Sequence, residues 1–215
     1  IHAGLNVARL NMSHGTHEEH TLRVQNIRAA AAKLGVPLPI LFDLSGPKIR
    51  TGEYTTERIT IAKDSTIVLT TDPHVGDETK IHVNYERLAQ EVKPGSTIML
   101  DDGKKRLEVE RVEGTEIYCR VVVGGELKPR RGVNVPGAYL SISTITEKDK
   151  RDVIFGVAQG ADYFALSFTR RPEDIDELRG LIRAAGASTP IIAKIETMES
   201  IENLDAIIAA SDGVM

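Results

Sequence analysis

The stretch LPILFDLSGPKIRT, Leu38 to Thr51, limits what this chain can fold into more than any other. Ile40, Leu41 and Phe42 form an apolar run between Pro39 and Pro47 that is too short for an ordinary helix, so it reads as a buried strand. The run ends on Asp43. A carboxylate closing a fully apolar strand is costly to bury unpaired, so it needs a polar mouth with a cation or donors facing it. Gly46 and Pro47 break the strand, and Lys48 and Arg50 then share one side of an extended segment.

The flanking segments say what kind of sheet this strand joins. Upstream, NVARLNMS alternates, with Val7, Arg9, Asn11 and Ser13 on one face and Ala8, Leu10 and Met12 on the other. A solvated edge strand would show the same polar face; a site is the alternative, because that face runs out at Ser13, His14 and Gly15, where a loop must begin. The next segment predicts a helix: Thr16 caps it, Glu19 completes a capping box, Leu22, Ile27, Ala30, Ala31 and Leu34 supply an apolar face, and Gly35 stops it. Strand, helix and strand with short connections require a parallel sheet.

After Thr51 the texture changes. From Gly52 to Val135 the chain breaks into short alternating runs, RITIA, STIVLTT, TKIHVN, STIMLDDG, RLEVERVEG and EIYCRVVVGG, parted by Asp-Pro, Pro-Gly, Asp-Gly and Gly-Gly turns. Only VNYERLAQEV suggests a helical turn. This predicts a small antiparallel barrel or sandwich, inserted on two hinges near Gly52 and Pro136 and able to move as a unit. The βα texture then returns: EKDKRDVIFGVAQG a helix, ADYFALSF a strand, a helix from Pro172, TPIIAKIE a strand, SIENLDAIIAA a helix, and GVM the start of a further strand. The expected architecture is α/β, a partial (β/α)8 TIM-type barrel over 1–51 and 136–215 interrupted by a β-rich domain over 52–135, with its site at the carboxyl ends of the strands.

Composition excludes several classes. With 41% hydrophobic and 27% charged residues and no apolar run near the roughly 18 residues of a membrane span, a soluble globular protein without a membrane partner is expected. The net charge of −4, with no long basic tract, argues against nucleic acid. The one cysteine, Cys119, forbids an intrachain disulfide and suits a reducing cytoplasm. Both ends look cut through structure: Ile1 almost abuts a strand and Met215 stops inside an apolar run, so a fragment is expected.

The chemistry-bearing residues gather at strand ends. Lys194 and Glu196 share a face at the end of TPIIAKIE. They are either a plain ion pair or a working pair, with Glu196 holding a hard divalent cation such as magnesium and Lys194 neutralising a transferring group. Arg9 and Arg50 come from neighbouring strands; either each is pinned by a carboxylate, Asp43 being the obvious one, or two guanidinium forks converge on a phosphoryl group. Ser167 closes ADYFALSF, either as a cap for the next helix or as a substrate contact. His2, His17, His20, His74 and His82 have no metal-ligand spacing and read as solvated or structural.

The blocks NVARLNMSHGTHEEH, FDLSGPKIRTG, RRGVNVPGAYLSISTITEKD, ALSFTRRPEDI, IIAKIE and ASDGVM, in this order across nearly the whole chain, resemble pyruvate kinase. The resemblance implies a (β/α)8 barrel with a mobile β domain after its third strand and a C-terminal regulatory domain, and transfer of a phosphoryl group from phosphoenolpyruvate to ADP, giving pyruvate and ATP at the last step of glycolysis. It makes Arg9 and Arg50 the phosphate-contacting arginines, Lys194 the lysine that stabilises the transferring group, and Glu196 one of two carboxylates on a catalytic Mg2+ or Mn2+. It places Asn11, Ser13, Asp43 and the Leu44 backbone in a monovalent-cation pocket, and Asn11, His14, Arg50 and Arg131 at the nucleotide. It also implies a cytoplasmic homotetramer.

Two departures qualify it. Potassium-dependent members tend to carry threonine and glutamate where this chain has Leu44 and Lys48, so a tethered ammonium is expected to replace K+ and potassium to be dispensable. The segment with the second magnesium carboxylate is missing, so the isolated 215 residues are expected to be inactive and poorly soluble. The rival readings are another Mg-dependent phosphoenolpyruvate or pyruvate barrel enzyme, which would lack so large a β insert, and a non-catalytic binding or regulatory protein on the same scaffold, which loss of Lys194 or Glu196 would have favoured.

Overall fold

A computed structural model of the chain describes residues 1–138 and 140–215. The chain opens with strand β1 (Ala8–Asn11), helix α1 (His17–Leu34) and strand β2 (Ile40–Asp43). A β-rich stretch follows, made of β3 (Ile59–Ile61), β4 (Thr66–Thr70), β5 (Lys80–His82), the single helical turn α2 (Leu88–Glu91), β6 (Thr97–Leu100), β7 (Lys105–Glu113), β8 (Glu116–Val123), β9 (Gly125–Leu127) and β10 (Val133–Asn134). The α/β pattern then resumes with α3 (Glu147–Ala158), β11 (Tyr163–Leu166), α4 (Pro172–Ala184), β12 (Ile191–Ala193), α5 (Met198–Glu202), α6 (Leu204–Ala210) and β13 (Gly213–Val214).

The chain divides into two compact units, Ile1–Pro47 with Ser143–Met215, and Lys48–Ile142. In the first, five strands pair in parallel in the order β1, β2, β11, β12, β13. Each new strand lies beside the one before it in this unit, which is the stave order of a (β/α) barrel. Register aligns Asn11 with Asp43 and Asp43 with Ala165, so the polar ends of β1 and β2 stand level at the carboxyl edge. The alternation expected of the first strand is present, with Ala8 and Leu10 buried and Arg9 exposed. Phe42, Phe164, Val153, Ile175, Leu178 and Ile191 fill the space between sheet and helices, all essentially without solvent contact. Helix α3 comes so close to the sheet that a Cβ on Gly156 would stand 2.7 Å from the Phe164 ring, which is why a glycine occupies this helical position.

Helix α1 starts and stops where the caps predict, with the Thr16–Glu19 capping box and Gly35 at its end. Its buried face matches the expected one only in part, at Ala31 and, partly buried, at Ile27. His20, Val24 and Ala31 are buried, whereas Leu22 and Leu34 are exposed. A histidine can occupy the inner face because both ring nitrogens are satisfied: Nε2 donates to the His14 carbonyl at 3.0 Å and Nδ1 accepts from Arg23 at 3.3 Å. The single helix expected over SIENLDAIIAA is two, α5 and α6, parted at Asn203, whose amide donates to the carbonyls of Arg170 and Glu199, both at 3.0 Å.

In the second unit, a six-stranded sheet runs β10-β6-β7-β8-β4-β5, and β3 and β9 form a separate pair. Every pairing is antiparallel except β4 with β5, which is parallel. The two outer strands of the six are joined by the backbone of Arg50 and Thr51, which bridges Gly132 beside β10 and Val83 beside β5. Thr51 N–H donates to the Arg131 carbonyl and Gly52 N–H to the His82 carbonyl, both at 2.8 Å, closing the ladder into a small barrel. Because Arg50 and Thr51 complete this ladder, the compact units part at 47/48 and 142/143, whereas the alternation pattern placed the boundaries at 51/52 and 135/136. The core is packed with apolar side chains, with Ile67, Leu69, Ile81, Ile98, Leu107, Ile117, Cys119 and Val121 at zero exposure.

Candidate active site

Asp43 organises the strand ends of the first unit. It is 2% exposed, so it needs partners, and it has one for each oxygen. Arg9, from the adjacent strand, places Nε at 2.7 Å and an Nη at 2.5 Å from Oδ2. Lys194, one residue past β12, places Nζ at 3.3 Å from Oδ1. One buried carboxylate thus fixes two cations from strands on either side.

The run of charge continues outward. Lys194 Nζ donates to Ser167 Oγ at 2.9 Å and lies 3.1 Å from Glu196 Oε1. The Ser167 hydroxyl donates to the Leu44 carbonyl at 2.6 Å, so it caps no helix. Glu196 Oε2 accepts the Phe168 backbone N–H at 3.0 Å. Arg9, Asp43, Ser167, Lys194 and Glu196 therefore form one continuous polar network from a buried floor to a rim where Arg9 is half exposed and Glu196 a third exposed. Asp43 therefore pins Arg9, which remains half exposed on its outer side.

Asn11, Ser13 and His14 lie on the loop after β1. Asn11 Oδ1 accepts the Ser13 N–H at 2.9 Å, and His14, exposed, donates its N–H to the Asn11 carbonyl at 3.3 Å. This loop is tied from below by residues whose spacing gave no sign of it. Lys148 Nζ donates to the Met12 carbonyl at 2.6 Å and to Asp152 at 2.5 Å; Asp152, 1% exposed, also receives His17 Nε2 at 2.7 Å. The oxygens proposed for a monovalent cation, on Asn11, Asp43 and Leu44, each already accept an internal donor. The Leu44 side chain lies in the core.

Lys48, Arg50 and Arg131 belong to the second unit. Arg50 donates from Nη1 to the Arg130 carbonyl at 2.9 Å, and its N–H donates to Asn84 at 2.7 Å. Arg131 lies 3.7 Å from Asp101. The Asn84 amide donates to the Lys48 carbonyl.

Glu196 is the only partly exposed carboxylate in the network of the first unit, and the described residues hold no group of three or more His, Cys, Asp or Glu able to cage a metal. That set fits Mg2+, which takes one or two carboxylates and fills its remaining positions with water and substrate oxygens, better than a metal needing a full protein cage.

A parallel barrel sheet, interrupted by a closed β insert and carrying its charge at the carboxyl ends of its strands, defines a (β/α)-barrel domain of the enzyme type. The whole chain, residues 1–215, matches the family model described as pyruvate kinase, barrel domain, and it belongs to that family. It is 46% identical over 219 residues to pyruvate kinase 2 of Synechocystis sp. (strain ATCC 27184 / PCC 6803 / Kazusa), covering 100% of this chain and 37% of that protein. It is 46% identical over 218 residues to pyruvate kinase of Bacillus licheniformis, with the same coverage, and 41% identical over 217 residues to that of Clostridium acetobutylicum, of which it covers 46%. The chain thus spans less than half the length of these curated relatives. Among the described residues, no helix is long and apolar enough to cross a membrane.

Proposed function

We propose that the protein carrying this chain is a pyruvate kinase, transferring the phosphoryl group of phosphoenolpyruvate to ADP. The observation that carries the reading is the network in which buried Asp43 holds Arg9 on one oxygen and Lys194 on the other, with Glu196 beside Lys194. In this reaction the bond from the enol oxygen to phosphorus breaks, a bond from an ADP phosphate oxygen to phosphorus forms, and the enolpyruvate left behind is protonated to pyruvate. Charge gathers on the phosphoryl and bridging oxygens, so fixed cations are the protein's main contribution.

The roles are those that membership of the family implies. Arg9 and Arg50 bind the phosphate, Lys194 stabilises the transferring group, and Ser167 orients the Lys194 ammonium at the substrate. Glu196 holds Mg2+ or Mn2+, which when bound neutralises and orients phosphate oxygens. Asn11, His14, Arg50 and Arg131 serve the nucleotide. The sequence carries Leu44 and Lys48 where potassium-dependent members tend to carry threonine and glutamate, which supports activity without added potassium. The protein is expected to be a cytoplasmic homotetramer, the location supported by its one buried, unpaired cysteine.

The test is a lactate dehydrogenase-coupled assay on the protein that carries this chain, in buffer free of sodium and potassium. Turnover should be present, rise little on adding potassium chloride, and fall by about 10^3 in kcat in Lys194→Met. Undiminished turnover of that variant would remove the proposal, and a large activation by potassium would remove its potassium-independent part.

A further inference from the structure

Phe168, beside the Lys194–Glu196 pair, has its backbone in the left-handed region, with φ of +54°. A bulky L-residue adopts that conformation rarely, because its Cβ crowds the following carbonyl. Here the neighbours over-determine it. The Ser167 hydroxyl is bonded to the Leu44 carbonyl, the buried Thr169 hydroxyl donates to the Leu166 carbonyl at 2.9 Å, and the Arg170 N–H donates to Asp174 at 2.8 Å. Strain held in place by such bracing collects at sites where it sets the aim of a functional group.

The group aimed here is visible. The turn formed by Ser167 and Phe168 grips both members of the ion pair: Ser167 Oγ accepts from the Lys194 ammonium, and Phe168 N–H donates to Glu196 Oε2. With Oε1 facing Lys194, the Glu196 carboxylate is fixed at both oxygens. Room for the turn comes from the β2 side. A Cβ on Gly46 would stand 2.9 Å from the Phe168 ring and 3.2 Å from the Ser167 carbonyl. The amide of Gly46 is in turn held by buried Asp149 at 3.2 Å.

We infer that Phe168 is a positioning residue for the metal-binding carboxylate, its left-handed backbone presenting the N–H that orients Glu196 while Gly46 leaves space for its ring. This rests on the reading of Glu196 as a ligand of the divalent cation, and the experiment separates the two. Mn2+ alone is titrated into the protein that carries this chain, and free Mn2+ is counted by electron paramagnetic resonance, with thermal unfolding midpoints taken in parallel. Phe168→Val, which keeps the N–H but disfavours the left-handed backbone, should weaken Mn2+ binding about tenfold, as loss of an outer-shell partner does. Phe168→Asn, which enters that region readily, should stay within about twofold of the parent although it lacks the ring. If F168V does not fold, Phe168→Ala is read in its place, with a weakening of about threefold expected. The inference is overturned if F168V binds Mn2+ as the parent does, or if F168N weakens binding as much as F168V. Glu196→Gln is the control: unchanged Mn2+ binding there removes the ligand reading itself, whereas weakened binding there with an unaffected F168V removes only the role of Phe168.

Discussion

The barrel unit and the inserted unit use charge in opposite ways. Among the described residues, every buried carboxylate and imidazole lies in the first: Asp43, Asp149, Asp152, Asp174 and His20. The insert buries Thr51, Thr70 and Thr71 as its polar side chains and keeps its ion pairs outside, as in Arg58 with Glu126, Arg111 with Glu113 and Arg120 with Glu108. Exposed pairs of this kind contribute about 0–1 kcal/mol each. The buried carboxylates are a different matter, since each has its oxygens engaged by named donors and removing one strands its partners. A barrel that must present charge at one edge needs buried anchors for it; a small β-barrel that needs only a core does not.

The comparison breaks most easily at Asp149. At zero exposure it accepts from Thr146 N–H at 2.9 Å, from the Thr146 hydroxyl at 2.5 Å and from Gly46 N–H, so Asp149→Ala should lower stability by about 3 kcal/mol, read from the urea midpoint. A loss below about 0.5 kcal/mol would mean that the buried carboxylates of the barrel are as dispensable as the insert's surface pairs.

A smaller effect is set by pH. His20 is held below the ordinary imidazole value of 6.5, first by burial and next by the Arg23 charge. The unfolded chain therefore takes up a proton before the folded one does. Its contribution to stability is fully present above pH 6.5 and is lost as pH falls through the folded-state value. His20→Gln, which can still donate to the His14 carbonyl, should flatten the acid limb of a stability profile; an unchanged slope would place the titration elsewhere.

Cys119 sharpens the insert's side of the comparison. Burial pushes its thiol up to about 12, so a disulfide reagent at pH 8 should leave it untouched until the insert's core opens in denaturant, whereas prompt reaction would show that the core is not closed. The smallest change is expected for Glu113→Ala, about 0.5 kcal/mol or less by the same urea measurement.

Much of this was legible in the residues because local chemistry decides it. The Thr16–Glu19 capping box, Pro172 at the start of α4 and the alternation of β1 each need no knowledge of the rest of the chain. Asp43 at the end of an apolar strand called for a cation or donors, and Arg9 and Lys194 are there. What stayed hidden depends on contacts made across the fold. The inner face of α1 could not be read because His20 becomes buriable only through the His14 carbonyl and Arg23. Barrel closure by two residues, Arg50 and Thr51, is too short to show a period. Phenylalanine carries no mark of a left-handed backbone, so the Phe168 turn, with its grip on Glu196, had no signal at all.

The most direct test of the account is diffraction from crystals of the protein carrying this chain, grown with Mn2+ and phosphoenolpyruvate and measured at the manganese absorption edge. An anomalous peak bonded to the Glu196 carboxylate, with the phosphate within hydrogen-bond reach of Arg9 and Lys194, is the predicted result. A manganese peak remote from Glu196, or a phosphate that touches neither cation held by Asp43, would contradict it.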